Sequence, residues 1–336
     1  MRTKILIGII LSLGMTGLIS LLGARETLTA ALKSMKIEIF LLACCSYIVF
    51  VLIDALRTKL LLSQNSEKIS YRLCLQNTIL GLYTSAITPF SAGGQPFQIY
   101  HLVKNGIPIE RSSMAVGVKF ITSLSMMISS SFILLVFVGK KIISDAGSAF
   151  LVYTGLVLTC SAYLFFLLLI FSKTFTYKIF TSKFLTKILS RITKRNTEVV
   201  LKKTVDSLSN YFALLKSLWD RSKLLLLLNI ILTASEIFIT MSIPYVLMTA
   251  FGNRSNYFEF LCAILVMTMV VYFLPTPGSS GGVEGAFYMM FRNMFSKNVV
   301  VATVITWRLI TYYAIIVAGS LILPKVFLDI KQTKQS

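Results

Sequence analysis

The sequence predicts an all-α, polytopic membrane protein with about six full spans and two re-entrant helical segments in an inverted repeat. Three observations carry that expectation. Of 336 residues, 56% are hydrophobic and only 14% charged, with a mean hydropathy of +0.79, too apolar a balance for a soluble chain of this size. Runs of roughly 20 apolar residues, the length that crosses a bilayer core, recur along the chain. A helix-breaking motif occurs twice, 188 residues apart.

The N-terminal run MRTKILIGIILSLGMTGLISLLG lacks a clear small-x-small cleavage site, so it reads as a retained first span over 5–23. Further spans are expected at 37–56, 112–138, 147–171, 223–250 and 298–323. With the N-terminus inside, cytoplasmic segments hold 21 Lys and Arg and outside segments six, which fixes the orientation with both termini cytoplasmic. The segment 73–111 must then enter from the cytoplasm and return to it, and 257–297 must do the same from outside. The second is the weaker case, because 257–275 is long enough to cross.

The charge divides the chain into an N-terminal half, 1–172, a basic linker, 173–221, and a C-terminal half, 222–336. The formal charge is +20, and 12 of the 33 basic residues fall in 173–223. In a membrane protein such a block holds the segment in the cytoplasm and attracts anionic headgroups, so nucleic acid is not read as a direct partner. Leu201, Val205, Leu208, Phe212, Leu215 and Trp219 recur at steps of four and three, giving one apolar face of an interfacial helix. The same face could instead join a homo-oligomer. Cys44, Cys45, Cys74, Cys160 and Cys262 lie in apolar segments without a CxxC pair, and His101 is the single histidine. No metal or cofactor site is expected from them.

The repeated motif reads TPFSAGGQP at Thr88–Pro96 and PTPGSSGGVEG at 275–285. Aligning Thr88 with Thr276 matches Thr-Pro-x-Ser-x-Gly-Gly at five of seven positions, and each copy precedes a span carrying one basic residue, Lys119 or Arg308. Duplicated halves of opposite topology are the signature of a transporter whose site lies near the midplane. Irregular backbone is tolerated there only if it is buried in protein or lines a wet cavity. Proline ends one helix and the glycines allow the reversal before the next. Backbone N–H groups at the new helix start suit phosphate, with Thr88, Ser91, Thr276, Ser279 and Ser280 adding hydroxyls. Lys119 and Arg308 are candidates for a lipid phosphate, since buried charge is expensive and usually functional. Glu284 either caps its helix or holds a cationic headgroup or Lys119. Glu236 reads as the partner of Arg308 or as a lone proton site, and Asp54 as half of an interfacial pair with Arg57.

TPFSAGGQPFQIYHLVKNGI and PTPGSSGGVEGAF resemble the two hallmark motifs of the lysylphosphatidylglycerol synthase/flippase transmembrane-domain family, over almost the whole chain. The resemblance implies movement of an aminoacylated phospholipid such as lysylphosphatidylglycerol from inner to outer leaflet, which lowers surface charge and resists cationic antimicrobial peptides. It places functional residues at Pro89, Gly93, Gly94, Gln95, Pro96, Pro277, Gly281, Gly282 and Glu284. Gln98 stands near where many relatives carry arginine. Relatives with lysyltransferase activity have a large soluble domain, whereas only 13 residues follow the last span here, so that chemistry is not expected. The expected partners are membrane phospholipids and, if the chain is a non-catalytic subunit, a separate aminoacyl-lipid synthase.

Overall fold

A computed structural model describes residues 35–63, 69–142, 146–193, 196–252, 256–271, 274, 276 and 278–332. The expected span at 5–23 lies outside them. The described residues are helical and contain no strand, forming a polytopic membrane fold. Among the described residues, five helical stretches are long and apolar enough to cross a bilayer.

The first is α1, Ile37–Leu62, followed by α2, Tyr71–Ile87, and α3, Gly94–Lys104. Next come α4, Ile109–Ile142, and α5, Ala146–Phe171. Leu41, Ile48, Phe132, Phe137 and Phe165 on these helices are exposed, an outward apolar surface suited to lipid rather than water. Helix α1 runs six residues beyond the expected end at Leu56. The sequence pattern stops at Arg57 because of its charge, but Arg57 is fully buried and neutralised inside the protein, so the helix continues.

The basic segment forms three helices: α6, Lys173–Phe180, α7, Lys183–Thr193, and α8, Thr197–Arg221. Ser172 and Asn196 cap the first and last with their side-chain oxygens. The apolar face expected on α8 is only partly packed against the protein, with Val205, Leu208 and Phe212 half-buried. Val200, Tyr211, Leu215 and Leu218 are buried, while Leu201 and Trp219 face outward. The Tyr211 hydroxyl donates to the Ile170 carbonyl, and the Tyr177 hydroxyl bonds with Ser209 at 2.7 Å, so polar anchors as well as apolar periodicity set the helix rotation.

The rest comprises α9, Lys223–Ala250, α10, Tyr257–Val271, α11, Gly282–Phe291, α12, Lys297–Arg308, a π turn over Leu309–Tyr313, and α13, Ala314–Gln332. At 15 residues α10 spans about 22 Å, short of a hydrocarbon core of about 30 Å. Helix α2, at 17 residues, spans about 25 Å.

The element order repeats. Helices α1 to α4 begin at residues 37, 71, 94 and 109, and α9 to α12 begin at 223, 257, 282 and 297. The breaker-to-helix step therefore falls at the same offset as the sequence match. Helices α1 and α9 pack against each other at the centre, while α2 packs on α13 and α10 on α4, so each half's short helix lies on the other half's long one.

Candidate functional site

The two breakers share a backbone conformation. Phe90 and Gly278 occupy the matched third position with φ of 56° and 55°, and Ser91 and Ser279 follow with φ of 52° and 54°. All four are in the left-handed region, and for the three that are not glycine (Phe90, Ser91 and Ser279) this rarely adopted conformation costs about 1–2 kcal/mol per residue. In both copies the serine N–H donates to the threonine carbonyl three residues back, at 3.3 Å for Ser91 and 3.0 Å for Ser279. Strain kept in both copies, on matched residues, marks a shape the fold holds deliberately.

The copies then diverge. In the first, the Thr88 hydroxyl donates to the Thr84 carbonyl at 2.7 Å and accepts from the Gly93 N–H at 2.9 Å. Gly94 opens α3 against Ser85, whose Oγ would lie 2.0 Å from a Cβ built there. Pro89 and Pro96 are exposed, Ser91 and Gln95 half-buried, and no side chain caps α3. In the second, the Gly281 N–H donates to Glu284 Oε2 at 2.7 Å, Arg308 Nε donates to Glu284 Oε1 at 3.0 Å, and Arg308 Nη2 reaches Ser280 Oγ at 2.8 Å and the Gly278 carbonyl at 3.2 Å. The Arg308 guanidinium also lies 4.0 Å from the Tyr312 ring centroid. The start of α11 is thus occupied by the chain's own carboxylate. The N–H at the matched position is taken by the chain itself in both copies, by the Thr88 hydroxyl before α3 and by the Glu284 carboxylate at α11, and of the two partners only the second is charged.

The breakers are neighbours. Tyr312 donates to the carbonyl of Ala86, two residues before Thr88, at 3.2 Å. A Cβ at Gly278 would lie 2.8 Å from that same carbonyl and 2.2 Å from the Tyr312 ring. Gly319 gives α13 a similarly close approach to Tyr83.

A second cluster of charge lies between α1, α2, α4 and α9. Arg57 is 0% exposed and all five of its N–H groups are used. Nε donates to Asn229 Oδ1 at 3.0 Å, Nη1 to Ser123 Oγ at 3.1 Å and to Glu236 Oε2, and Nη2 to Thr122 Oγ1 at 3.0 Å and the Lys119 carbonyl at 3.1 Å. Lys119 Nζ donates to Asp54 Oδ2 and to Thr58 Oγ1, each at 2.9 Å, and Thr78 donates to the same Asp54 oxygen at 2.6 Å. Four ionisable groups of balanced charge are held inside an apolar bundle.

Residues 5–319 match the protein family described as the lysylphosphatidylglycerol synthase TM region. The chain belongs to this family. It is also 26% identical over 328 residues to a "UPF0104 membrane protein" of Archaeoglobus fulgidus, covering 94% of this chain and 95% of that one.

In this family member the expected site residues fall into three places. Thr88, Pro89, Ser91, Gly93, Gly94, Gln95 and Pro96 form the first breaker. Thr276, Ser279, Ser280, Gly281, Gly282, Glu284 and Arg308 gather at the second, and Pro277 lies outside the described residues. Lys119 stands apart, in the α1/α4/α9 cluster.

Two expected pairings are replaced: Glu236 binds Arg57 rather than Arg308, and Asp54 binds Lys119 rather than Arg57. Of the readings of Glu284, the helix cap is the one present, and its other carboxylate oxygen accepts from Arg308, not Lys119. Lys119 and Arg308 are not equivalent because they lie one residue out of register at the 188-residue offset, about 100° of helix rotation.

Sequence reasoning missed Arg57 as a central group, along with Asn229, Ser123 and Gly278. The available signal was an arginine, an asparagine and a glutamate, each within or beside an apolar run.

Proposed function

We propose that the chain translocates an anionic or aminoacylated phospholipid, of the lysylphosphatidylglycerol type, across the cytoplasmic membrane, with both termini on the cytoplasmic side. The observation that carries this reading is the pair of strained, matched breakers meeting beside Ala86, Gly278 and Tyr312. Irregular backbone held at membrane depth by two related halves is how transporters of inverted-repeat design build a central site. On this reading α2–α3 and α10–α11 are re-entrant hairpins. The phosphate would bind first at the start of α3, where the chain supplies a hydroxyl rather than a carboxylate, and Arg308 would become available if Glu284 released it. Translocating an aminoacylated lipid outward would lower the negative surface charge that cationic antimicrobial peptides need.

The test uses purified protein in liposomes carrying lysylphosphatidylglycerol in both leaflets. Outer amines are blocked with an impermeant reagent and loss of the inner pool is followed. Protein-dependent loss that disappears in Gly94→Val and Gly282→Val supports the reading. Loss no faster than in empty liposomes, with phosphatidylglycerol tried as well, rejects it.

A second reading, a membrane subunit that anchors a separate aminoacyl-lipid synthase, is favoured by one observation. Lys183, Phe184, Lys187, Ile188 and Arg191 form an exposed basic and apolar stripe along α7. Co-purification of a synthase, lost when the three basic residues become glutamine, would support it.

A further inference from the structure

Glu236 lies midway along α9 and is 4% exposed. Its Oε2 accepts from Arg57, but its Oε1 is buried with no hydrogen-bond partner. The nearby donors are committed elsewhere. Arg57 has no N–H left to give, Thr240 donates to the Glu236 main-chain carbonyl, Thr233 to the Asn229 carbonyl and Thr122 to carbonyls of α4. An ionised carboxylate with one bare oxygen in an apolar bundle is costly, and a proton on that oxygen removes the charge.

The charges within electrostatic reach are Asp54 and Arg57 from α1 and Lys119 from α4. Of the other helices packed on α9, α12 presents Arg308, held by Glu284, α10 presents Tyr257, bonded to Ser242 at 2.6 Å, with Glu259 on the same helix, and α8 presents Asp220 and Lys216 at its exposed end. With Asp54 and Glu236 ionised, the quartet with Arg57 and Lys119 is neutral. Adding one proton to Glu236 leaves one net positive charge inside the membrane, and the phosphodiester of an anionic lipid carries the single negative charge that balances it.

We propose that Glu236 is a proton-binding site, and that proton and anionic headgroup load together, so that lipid movement is coupled to the proton gradient. The coupling half rests on the translocation reading; the proton site itself does not. Because each ligand neutralises the other's charge, each raises the affinity for the other.

The test is infrared spectroscopy of the full-length protein in zwitterionic phosphatidylcholine bilayers, with glutamate carboxyl groups labelled by carbon-13. Above about pH 6 solvent-exposed glutamates are ionised, so a remaining glutamate carboxylic C=O band reports a buried protonated group. The expected result is such a band, titrating away on raising the pH, absent from Glu236→Gln and retained in Glu284→Gln. If Glu236→Gln does not fold, Glu236→Asp serves instead, because it keeps a carboxyl at the site but takes it out of the labelled set.

Adding phosphatidylglycerol should move the titration midpoint to higher pH. No labelled band at any pH, or a band that survives both Glu236 variants, overturns the proton site. A midpoint unmoved by phosphatidylglycerol overturns the coupling. A confirmed band in a protein that moves no lipid would instead reject translocation and leave the proton site standing.

Discussion

Arg57 shows how a buried charge can be both costly and indispensable. Breaking a buried pair by removing one partner costs about 3–5 kcal/mol, because the survivor is left uncompensated. Arg57→Ala and Glu236→Ala should each lower the thermal unfolding temperature in detergent markedly. The pair Arg57→Met with Glu236→Leu should recover most of that loss, since replacing both ions with apolar groups is often neutral. Fluorescence-detected unfolding checks both outcomes, and a double variant as unstable as the sum of the singles would contradict them. Gly278 is the sharper residue-scale case. With φ of 55° and no room between Ala86 and Tyr312, Gly278→Ala combines left-handed strain with overpacking, roughly 2–5 kcal/mol in all. Gly94→Ala should be milder, because its φ is not left-handed and its nearest contact, Ser85 Oγ, can rotate away, leaving the Gly81 carbonyl at 3.0 Å as the tight backbone neighbour. The sequence pointed to Gly94 through the conserved pattern between the two copies, but not to Gly278, whose counterpart is Phe90. A glycine's need shows only when its neighbours are known.

At the scale of elements, the long helices were legible because length and hydropathy alone specify them. The span expected at 223–250 is Lys223–Ala250 in the structure, and 147–171 is Ala146–Phe171. What could not be read was where charge lets a helix continue, as in α1, and how much of the apolar face of α8 turns inward. Both depend on partners more than a hundred residues away or on another helix's carbonyls. The pairings of Asp54 and Glu236 were misassigned for the same reason, while the cap expected of Glu284 is present: composition says that a buried charge needs a partner, and only packing says which one. The basic stripe of α7 makes its own prediction. Changing Lys183, Lys187 and Arg191 to glutamine should weaken binding of a peptide covering 173–195 to vesicles containing phosphatidylglycerol, by about 1 kcal/mol per charge removed, and the difference should shrink in high salt. Vesicle co-sedimentation at two salt concentrations measures it.

For the whole molecule, the decisive question is the side on which each short helix begins and ends. If α10–α11 enters and leaves by one face, cysteines at Asn256 and Asn293, in a background without the five native cysteines, should react with an impermeant thiol reagent from the same side of sealed vesicles. Labelling from opposite sides would remove the inverted repeat and with it the central-site argument. The sequence offered the repeat through five matched positions. The structure adds that the matched residues share unusual φ values and that the two copies touch, neither of which a pattern of letters can state.

The Arg57–Glu236 pair also has a history in time. The two residues are 179 apart in the chain, and a ribosome adding about 5–20 residues per second makes the second roughly 10–40 s after the first. During that interval α1 has entered or approached the bilayer with a guanidinium whose final partner does not yet exist, at a cost below the roughly 2.5–3.5 kcal/mol of an arginine at a helix centre, because Arg57 lies near the end of α1. Asp54, one helical turn away, is the carboxylate then within reach, and Lys119 has not yet arrived to claim it. A contact between Asp54 and Arg57 would neutralise the guanidinium over that interval. Lys119 on α4 is made before Glu236 on α9, so the order of synthesis makes the lasting partner of Asp54 available before that of Arg57.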